Sequence, residues 1–466
     1  MRKQLTYLIS IGILNLLLFA SLFCLFQNDS FYKHTLGLFS ENYERIGGWD
    51  NFEIKKTAKP FLPITNSNFE TWDADIYRCI SERMYKSEIE HYGQVRGAFF
   101  PLFPLIWKLT NSSPIGISLI NYFLFVLSIS LLITYLLETS LPKKLFTFAV
   151  LITMPSTVIY YIPYTEALFL FTMTIASIGV IQKKYWLYFV GCFLLAMVRP
   201  ATIFVFLAII LAEVIVFINT KNLSLFIKEI SNKSLPFISG YFIAIFIQFL
   251  YSGSWMTFLD AQKKWEGGIQ LIKGISDWSV EGFGLTTAAI FFVCVPAILF
   301  LLFFAIKKNK MSNGGKILEL NNSGTEYLLL ISIFYLIGIF VFTIITSGGN
   351  LHSFFRFTLT SPPFYIALIF LLNYLNEKSA QYFIYIFIAL MAITILFLNL
   401  VDYGGGRIQF SFFGLYMFIA TGLFLILKNR LSQPLQLTIA SMLIFLNIVW
   451  NTYLLNVFFS NAWIFT

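Results

Sequence analysis

Long apolar runs separated by short polar connections fill this chain almost from end to end, and one long polar stretch interrupts them. Apolar segments lie at residues 5–26 and near 114–137, 145–162, 165–181, 185–198, 200–218, 236–252, 286–306, 326–346, 357–376, 381–400, 411–427 and 435–458. Because about 20 apolar residues in a helix cross a bilayer, the pattern predicts an all-α integral membrane protein with about 13 transmembrane helices. Several segments are short or interrupted by proline, at Pro155, Pro163 and Pro200. A stretch such as 145–181 is therefore expected to hold a broken or re-entrant helix in place of clean spans.

The interruption is a long first loop, residues 27–112, rich in Asn, Lys, Glu and aromatic side chains. Within it, residues 73–90 are expected to form an amphipathic helix at the membrane interface, with Ile76, Ile80, Met84 and Ile89 on one side. The run Phe99, Phe100, Pro101, Leu102, Phe103, Pro104 reads as an aromatic belt leading into the next helix. No repeat divides the chain, so a single polytopic domain over 1–466 is expected. Residues 307–325, rich in Lys, Asn, Gly and Ser, read as a cytoplasmic loop.

Composition sharpens the class. The chain is 58% hydrophobic and 12% charged, with a mean hydropathy of +0.76, far from the roughly 25% charged residues of a soluble domain. The net charge of +9 argues for topology over nucleic acid, since Lys and Arg sit in short clusters between apolar segments. With the N-terminus cytoplasmic, the inner connections carry Lys143, Lys144, Lys183, Lys184, Lys221, Lys228, Lys233, Lys307, Lys308, Lys310, Lys316, Lys378, Lys428 and Arg430. This bias places the long loop outside. The first run is longer than a signal-peptide core and lacks a small-residue cleavage site, so it reads as a span. Cys24, Cys79, Cys192 and Cys294 are scattered and imply neither a disulfide framework nor a metal site. Phosphate-loop, dinucleotide and zinc-hydrolase patterns do not occur, leaving ATP-driven transport, dinucleotide chemistry and zinc hydrolysis without local support.

Ionisable residues near the outer ends of the spans are functional candidates, because each is costly to place in hydrocarbon. They are Asp73 and Asp75 beside Trp72 and Tyr77, Glu166 beside Tyr164, Arg199, the group Asp260, Gln262, Lys263, Lys264 and Trp265, and Arg356. On the expected topology all face one side. A carboxylate can take a proton from an attacking hydroxyl, arginines can neutralise a phosphate leaving group, and aromatics can stack on a sugar or an isoprene unit. Plainer roles stand beside these. Asp73 is equally suited to capping its helix or pairing with Arg78, and Glu166 to opening a helix whose dipole favours an acid. Arg199 and Arg356 are equally suited to snorkelling at the interface, and His91 and His352 read as solvated residues.

Taken in order, these segments resemble the GT-C membrane glycosyltransferases, in particular the branch of the second GPI mannosyltransferase (PIG-V-like) and its bacterial relatives. Trp72-Asp-Ala-Asp-Ile-Tyr followed by Ala98-Phe-Phe-Pro-Leu-Phe-Pro resembles that family's Trp-Asp motif and the aromatic-proline run after it. Tyr164-Thr-Glu-Ala-Leu-Phe, Met197-Val-Arg-Pro, Phe258-Leu-Asp-Ala-Gln-Lys-Lys-Trp and Phe355-Arg-Phe-Thr-Leu-Thr-Ser-Pro-Pro are similar to later segments of it. The resemblance covers roughly residues 70–365. The chain departs from it at Ile76, where the family often has His or Trp, and at Met84-Tyr85, where it often has Gly-Tyr.

The resemblance implies a GT-C fold whose long first extracytoplasmic loop contains interfacial helices. It implies an inverting transferase, most simply a mannosyltransferase, that moves a sugar from a polyprenyl-phosphate donor to a lipid or glycan acceptor. Asp73 would be the general base, and Trp72, Asp75, Tyr77, Tyr164, Glu166, Arg199, Gln262, Trp265 and Arg356 would line the substrate site. The expected location is a cellular membrane, the cytoplasmic membrane in a bacterium, with the site on the extracytoplasmic face. The lipid-phosphate sugar serves as co-substrate and no cofactor is implied; Asp73, Asp75 and Glu166 are the groups suited to a divalent ion, which no spacing demands. Membrane lipids are the other expected partners, and nucleic acid is not one. A lipid-linked sugar flippase or transporter is the alternative from another class, expected to carry mid-membrane charges and paired halves. A glycan polymerase or ligase is a further alternative among enzymes.

Overall fold

The computed structural model describes residues 2–36, 42–48, 51–57, 61–86, 93–265, 297, 324–346, 354–374 and 410–461. Helix α1 (Arg2–Phe26) is followed by the short α2 (Asp29–His34), α3 (Asp73–Arg83) and α4 (Leu102–Thr110). Then come α5 (Pro114–Leu136), α6 (Leu141–Thr153), α7 (Glu166–Ile181), α8 (Tyr185–Val198), α9 (Ile203–Thr220), α10 (Leu223–Ser252) and α11 (Thr257–Trp265). The remaining described helices are α12 (Gly324–Thr346), α13 (Phe354–Thr358), α14 (Pro362–Tyr374), α15 (Phe410–Leu427) and α16 (Gln433–Phe459).

Six described helices are long and apolar enough to cross a membrane, and a bent pair makes a seventh. Helices α7, α8 and most of α14 are apolar but shorter. The expected spans at 286–306, apart from residue 297, and at 381–400 lie outside the described residues. This is a helical, multi-pass membrane architecture. One element was not expected: within the first loop, β1 (Asn42–Gly48) pairs antiparallel with β2 (Asn51–Thr57), in register from Asn42 opposite Thr57 to Gly48 opposite Asn51.

Two expected boundaries move. The loop helix ends at Arg83, short of residue 90, because Met84 takes a left-handed φ of 55° that no helix continues. Ile76, Ile80 and Met84 are buried as their spacing requires, whereas Ile89 lies outside the described residues. The segment expected at 236–252 is the second half of a 30-residue helix, α10, which begins at Leu223 and carries Pro236 inside it. Its first turns hold Lys228, Glu229 and Lys233, polar enough to hide them from a hydropathy reading. Lys233 is held by Glu213 of α9 at 2.5 Å and by Glu229 at 3.3 Å.

The broken segment is borne out. Helix α6 and the 3-10 helix Pro155–Tyr161 meet at 74°. A break frees backbone carbonyls that hydrocarbon cannot satisfy. Asn451 of α16 donates its amide to Thr153 O at 2.9 Å and Met154 O at 3.3 Å on one side of the break. Asn121 of α5 donates to Ile162 O and Tyr164 O, both at 2.8 Å, on the other. Tyr160 stacks on Phe125 with centroids 4.0 Å apart. Two asparagines and an aromatic pair thus fix the chain that leads to Glu166.

Helices α7 and α8 form a tight antiparallel hairpin. A Cβ on Gly191 would collide with the Ala176 backbone, so the absence of a side chain there lets the two helices close to backbone contact. Closure brings the first residue of α7 and the residue after α8 to the same end of the bundle.

Candidate active site

Four charged side chains from four segments meet at that end. Glu166 is the first residue of α7, where unpaired backbone N–H groups and the helix dipole favour an acid. Arg199 directly follows α8 in extended backbone (φ −160°, ψ 150°). Pro200 imposes that conformation on the residue before it and ends the helix, leaving a cation at the end where the dipole favours one. Asp73 opens α3, and Arg356 lies in α13.

The contacts link all four. Arg356 donates Nη1 to Asp73 Oδ2 at 2.7 Å and Nε to Glu166 Oε1 at 2.5 Å. Arg199 donates Nη1 to the same Glu166 oxygen at 3.0 Å. Two carboxylates and two guanidiniums balance in formal charge, as burial requires. Glu166 is 1% exposed and Arg356 6%, whereas Asp73 keeps 18%. The aspartate is therefore the member of the quartet most open to an incoming molecule. The second carboxylate oxygen of Glu166, Oε2, is buried without a hydrogen-bond partner among the described residues, an acceptor ready for a ligand hydroxyl.

Aromatic groups frame the quartet. The Arg356 guanidinium lies 4.6 Å from the Tyr164 ring centroid, and that of Arg199 lies 5.1 Å from Phe357. Tyr77 donates its hydroxyl to Thr165 Oγ1 at 3.4 Å. Burial, then the negative charge of Asp73, pushes the Tyr77 phenol up, which keeps it a neutral donor. Phe99 and Phe103 meet the Tyr77 ring edge-on at 5.1 and 5.2 Å. Phe99, Phe100 and Phe103 are buried: Phe99 and Phe103 back Tyr77 of α3 and Phe100 packs on Tyr241 and Phe258, so the aromatic-proline run leads into α4 as expected but turns inward and does not form the expected belt.

The remaining candidates fall around this centre. Trp72 is 43% exposed and takes a left-handed φ of 56° immediately before Asp73. That is a costly conformation for a bulky residue, and it sets the angle at which the aspartate leaves the loop. Asp75 is half-buried on α3. Arg78 pairs with Glu70 and, at 2.9 Å, with Glu82, so the Asp73–Arg78 pairing weighed from sequence is replaced by Asp73–Arg356. Snorkelling does not describe the buried Arg356. Gln262 is exposed on α11, which packs against the 3-10 helix Gly93–Ala98. Trp265 ends that helix, and its side chain lies outside the described residues, as do His91, His352 and Lys264.

Several residues that hold the site were not singled out from sequence. Tyr160 donates to Thr360 O at 2.5 Å, the Thr360 hydroxyl donates to Arg356 O, and Tyr335 donates to Phe357 O at 3.2 Å. These bonds pin α13 and with it Arg356. The tyrosines carry no signal in a chain so rich in aromatics, but Asn121 and Asn451 could have been found, because an amide inside an apolar run is costly without a partner. Among the described residues, no group of three or more His, Cys, Asp or Glu side chains gathers closely enough to hold a metal ion. Comparison of the chain with family models, with characterised proteins and with solved structures finds no match.

Proposed function

We propose that this protein is a membrane glycosyltransferase of GT-C type, with about 13 spans and its site on the extracytoplasmic face. It moves a sugar, with mannose as the first candidate, from a polyprenyl-phosphate carrier to a hydroxyl of a lipid or glycan acceptor. The observation that carries this reading is the Asp73–Arg356–Glu166–Arg199 quartet: a partly exposed carboxylate in direct contact with a guanidinium, at one end of the helices.

In the reaction, Asp73 takes the proton of the acceptor hydroxyl through its second oxygen as that hydroxyl attacks the anomeric carbon. The bond from that carbon to the phosphate oxygen breaks with inversion, and its electron pair leaves on the polyprenyl phosphate. Arg356 and Arg199 neutralise the departing phosphate, a task suited to bidentate guanidinium donors. Glu166 holds both arginines in place, the exposed Trp72 offers a ring face to the sugar, and the buried Tyr164 ring backs Arg356. Arg356 is shared: a phosphate that draws its Nη1 away releases Asp73 for proton transfer.

The test is purified protein incubated with polyprenyl-phosphate mannose and related lipid-phosphate sugars, with mass spectrometry of the acceptor pool. Transfer by the wild-type chain and its loss by at least about a hundredfold in Asp73→Asn, with folding intact, supports the reading. Undiminished transfer by Asp73→Asn removes the aspartate from its role, and no hexose gain with any lipid-phosphate sugar removes the reading itself.

A further inference from the structure

A second group of charged side chains lies far from the quartet. Helix α5 carries Asn121, which serves the site, near one end and Thr134 near the other, roughly 20 Å apart along the helix at 1.5 Å per residue. At the Thr134 end, Lys144 of α6 is 8% exposed and its ammonium donates to Thr134 O at 3.4 Å. Lys428, in the 3-10 turn Lys428–Arg430 between α15 and α16, is 4% exposed and donates to the Thr147 hydroxyl. Lys143 is close enough to Lys428 for their charges to oppose one another, and Arg430 is exposed on the same turn.

This arrangement differs from ordinary basic residues at a helix end. A snorkelling lysine buries its stem and puts its ammonium in water, whereas here two whole lysine side chains are buried. Their hydrogen-bond partners are a neutral hydroxyl and a carbonyl, and the exposed Glu138 acts on Lys144 only through its charge, from beyond ion-pair distance. Among the described residues no carboxylate stands within ion-pair distance of Lys143, Lys144 or Lys428. Burial, then the charge of Lys143, pulls the Lys428 ammonium down to about 8. Elsewhere the chain answers a buried charge with an opposite one, as Glu166 and Glu213 show. Two buried ammoniums with no carboxylate in direct contact are costly unless an anion joins them.

We infer that Lys144 and Lys428, with Lys143 and Arg430 at the rim, form a binding site for a phosphate group at the end of the bundle opposite the quartet. The threonine hydroxyl and the ammoniums supply donors to phosphate oxygens. An anionic phospholipid headgroup and free phosphate offer the same chemistry, and a site at the end of membrane helices is within reach of the first.

The test uses the full chain in detergent micelles containing phosphatidylglycerol, phosphatidylcholine, or no lipid plus inorganic phosphate. Native mass spectrometry reads lipid retention and thermal unfolding reads stabilisation. Selective retention of phosphatidylglycerol and a higher unfolding temperature with it are expected. Retention should weaken roughly fivefold per lysine in Lys144→Gln and Lys428→Gln and persist in Lys428→Arg. If inorganic phosphate alone reproduces the full stabilisation, the site stands and its occupant is a soluble anion. Equal retention of both lipids with no response to phosphate, or full retention in the double glutamine variant, overturns the inference. The wild-type lipid comparison and Lys428→Arg decide the matter even where the double variant fails to fold.

Discussion

Arg356 and Asp73, 283 residues apart in the chain, meet at 2.7 Å, and the same guanidinium reaches Glu166 through its Nε. One side chain therefore joins the first loop to the start of α7. Removing it leaves Asp73 without this partner and Glu166 with Arg199 alone. Breaking a buried pair in this way costs roughly 3–5 kcal/mol. Arg356→Ala is expected to lower thermal stability by that order in detergent unfolding. Arg356→Lys should recover only part of it, because an ammonium cannot make the two directed contacts of the fork. Full recovery by lysine would show that charge alone matters here.

The two carboxylates of the quartet should not be equivalent. Glu166 is buried and receives both guanidiniums, whereas Asp73 is partly exposed and receives one. Glu166→Gln is expected to destabilise by about 2 kcal/mol or more beyond Asp73→Asn, since it removes the carboxylate that both buried arginines share and leaves Arg356 with Asp73 alone. Parallel unfolding curves of the two variants check this, and an equal loss would mean that the arginines find other partners.

The break between α6 and the 3-10 helix depends on amides supplied by other helices. Asn451→Leu and Asn121→Leu each leave two carbonyls without these donors, and each is expected to cost about 1–2 kcal/mol. Asn121 holds Tyr164 O directly, so its loss should also reduce the proposed transfer activity by more than the stability change explains. Activity at a temperature well below the unfolding midpoint separates the two effects.

The α7–α8 hairpin offers a steric test with its own control. Gly191→Ala places a methyl against the Ala176 backbone, and overpacking of this kind costs about 1–3 kcal/mol. It should also part Glu166 from Arg199. Gly422→Ala, in α15, meets nothing within 4 Å and is expected to be neutral or to stabilise by about 0.5–1 kcal/mol. A similar loss in both variants would remove the packing argument.

Much of this protein is legible from sequence because a bilayer imposes a local rule. Each span must be apolar for about 20 residues and must satisfy its own backbone, so the multi-pass class, the long first loop and a broken helix within 145–181 follow from composition and proline positions. The same reading placed Glu166 at a helix start and Arg199 at a helix end, since Pro200 and the helix dipole act within a turn. It missed the first turns of α10, whose charges are answered by Glu213 on another helix. It also misread the aromatic-proline run as a belt, whereas its phenylalanines are buried against α3, α10 and α11.

By itself the sequence determined which chemical groups this membrane protein holds in reserve and roughly where along each helix they stand, because hydropathy and helix-end preferences are properties of neighbouring residues. Only the tertiary structure decided who meets whom. Asp73 has Arg78 five residues away and pairs instead with Arg356, because the packing of α3 on α4, the hydrogen bond from Tyr77 to Thr165 just before α7, and the pinning of α13 by Tyr160 and Tyr335 bring those charges together. Once buried, each charge must find its opposite, and the partner it finds is set by packing across hundreds of residues rather than by distance along the chain.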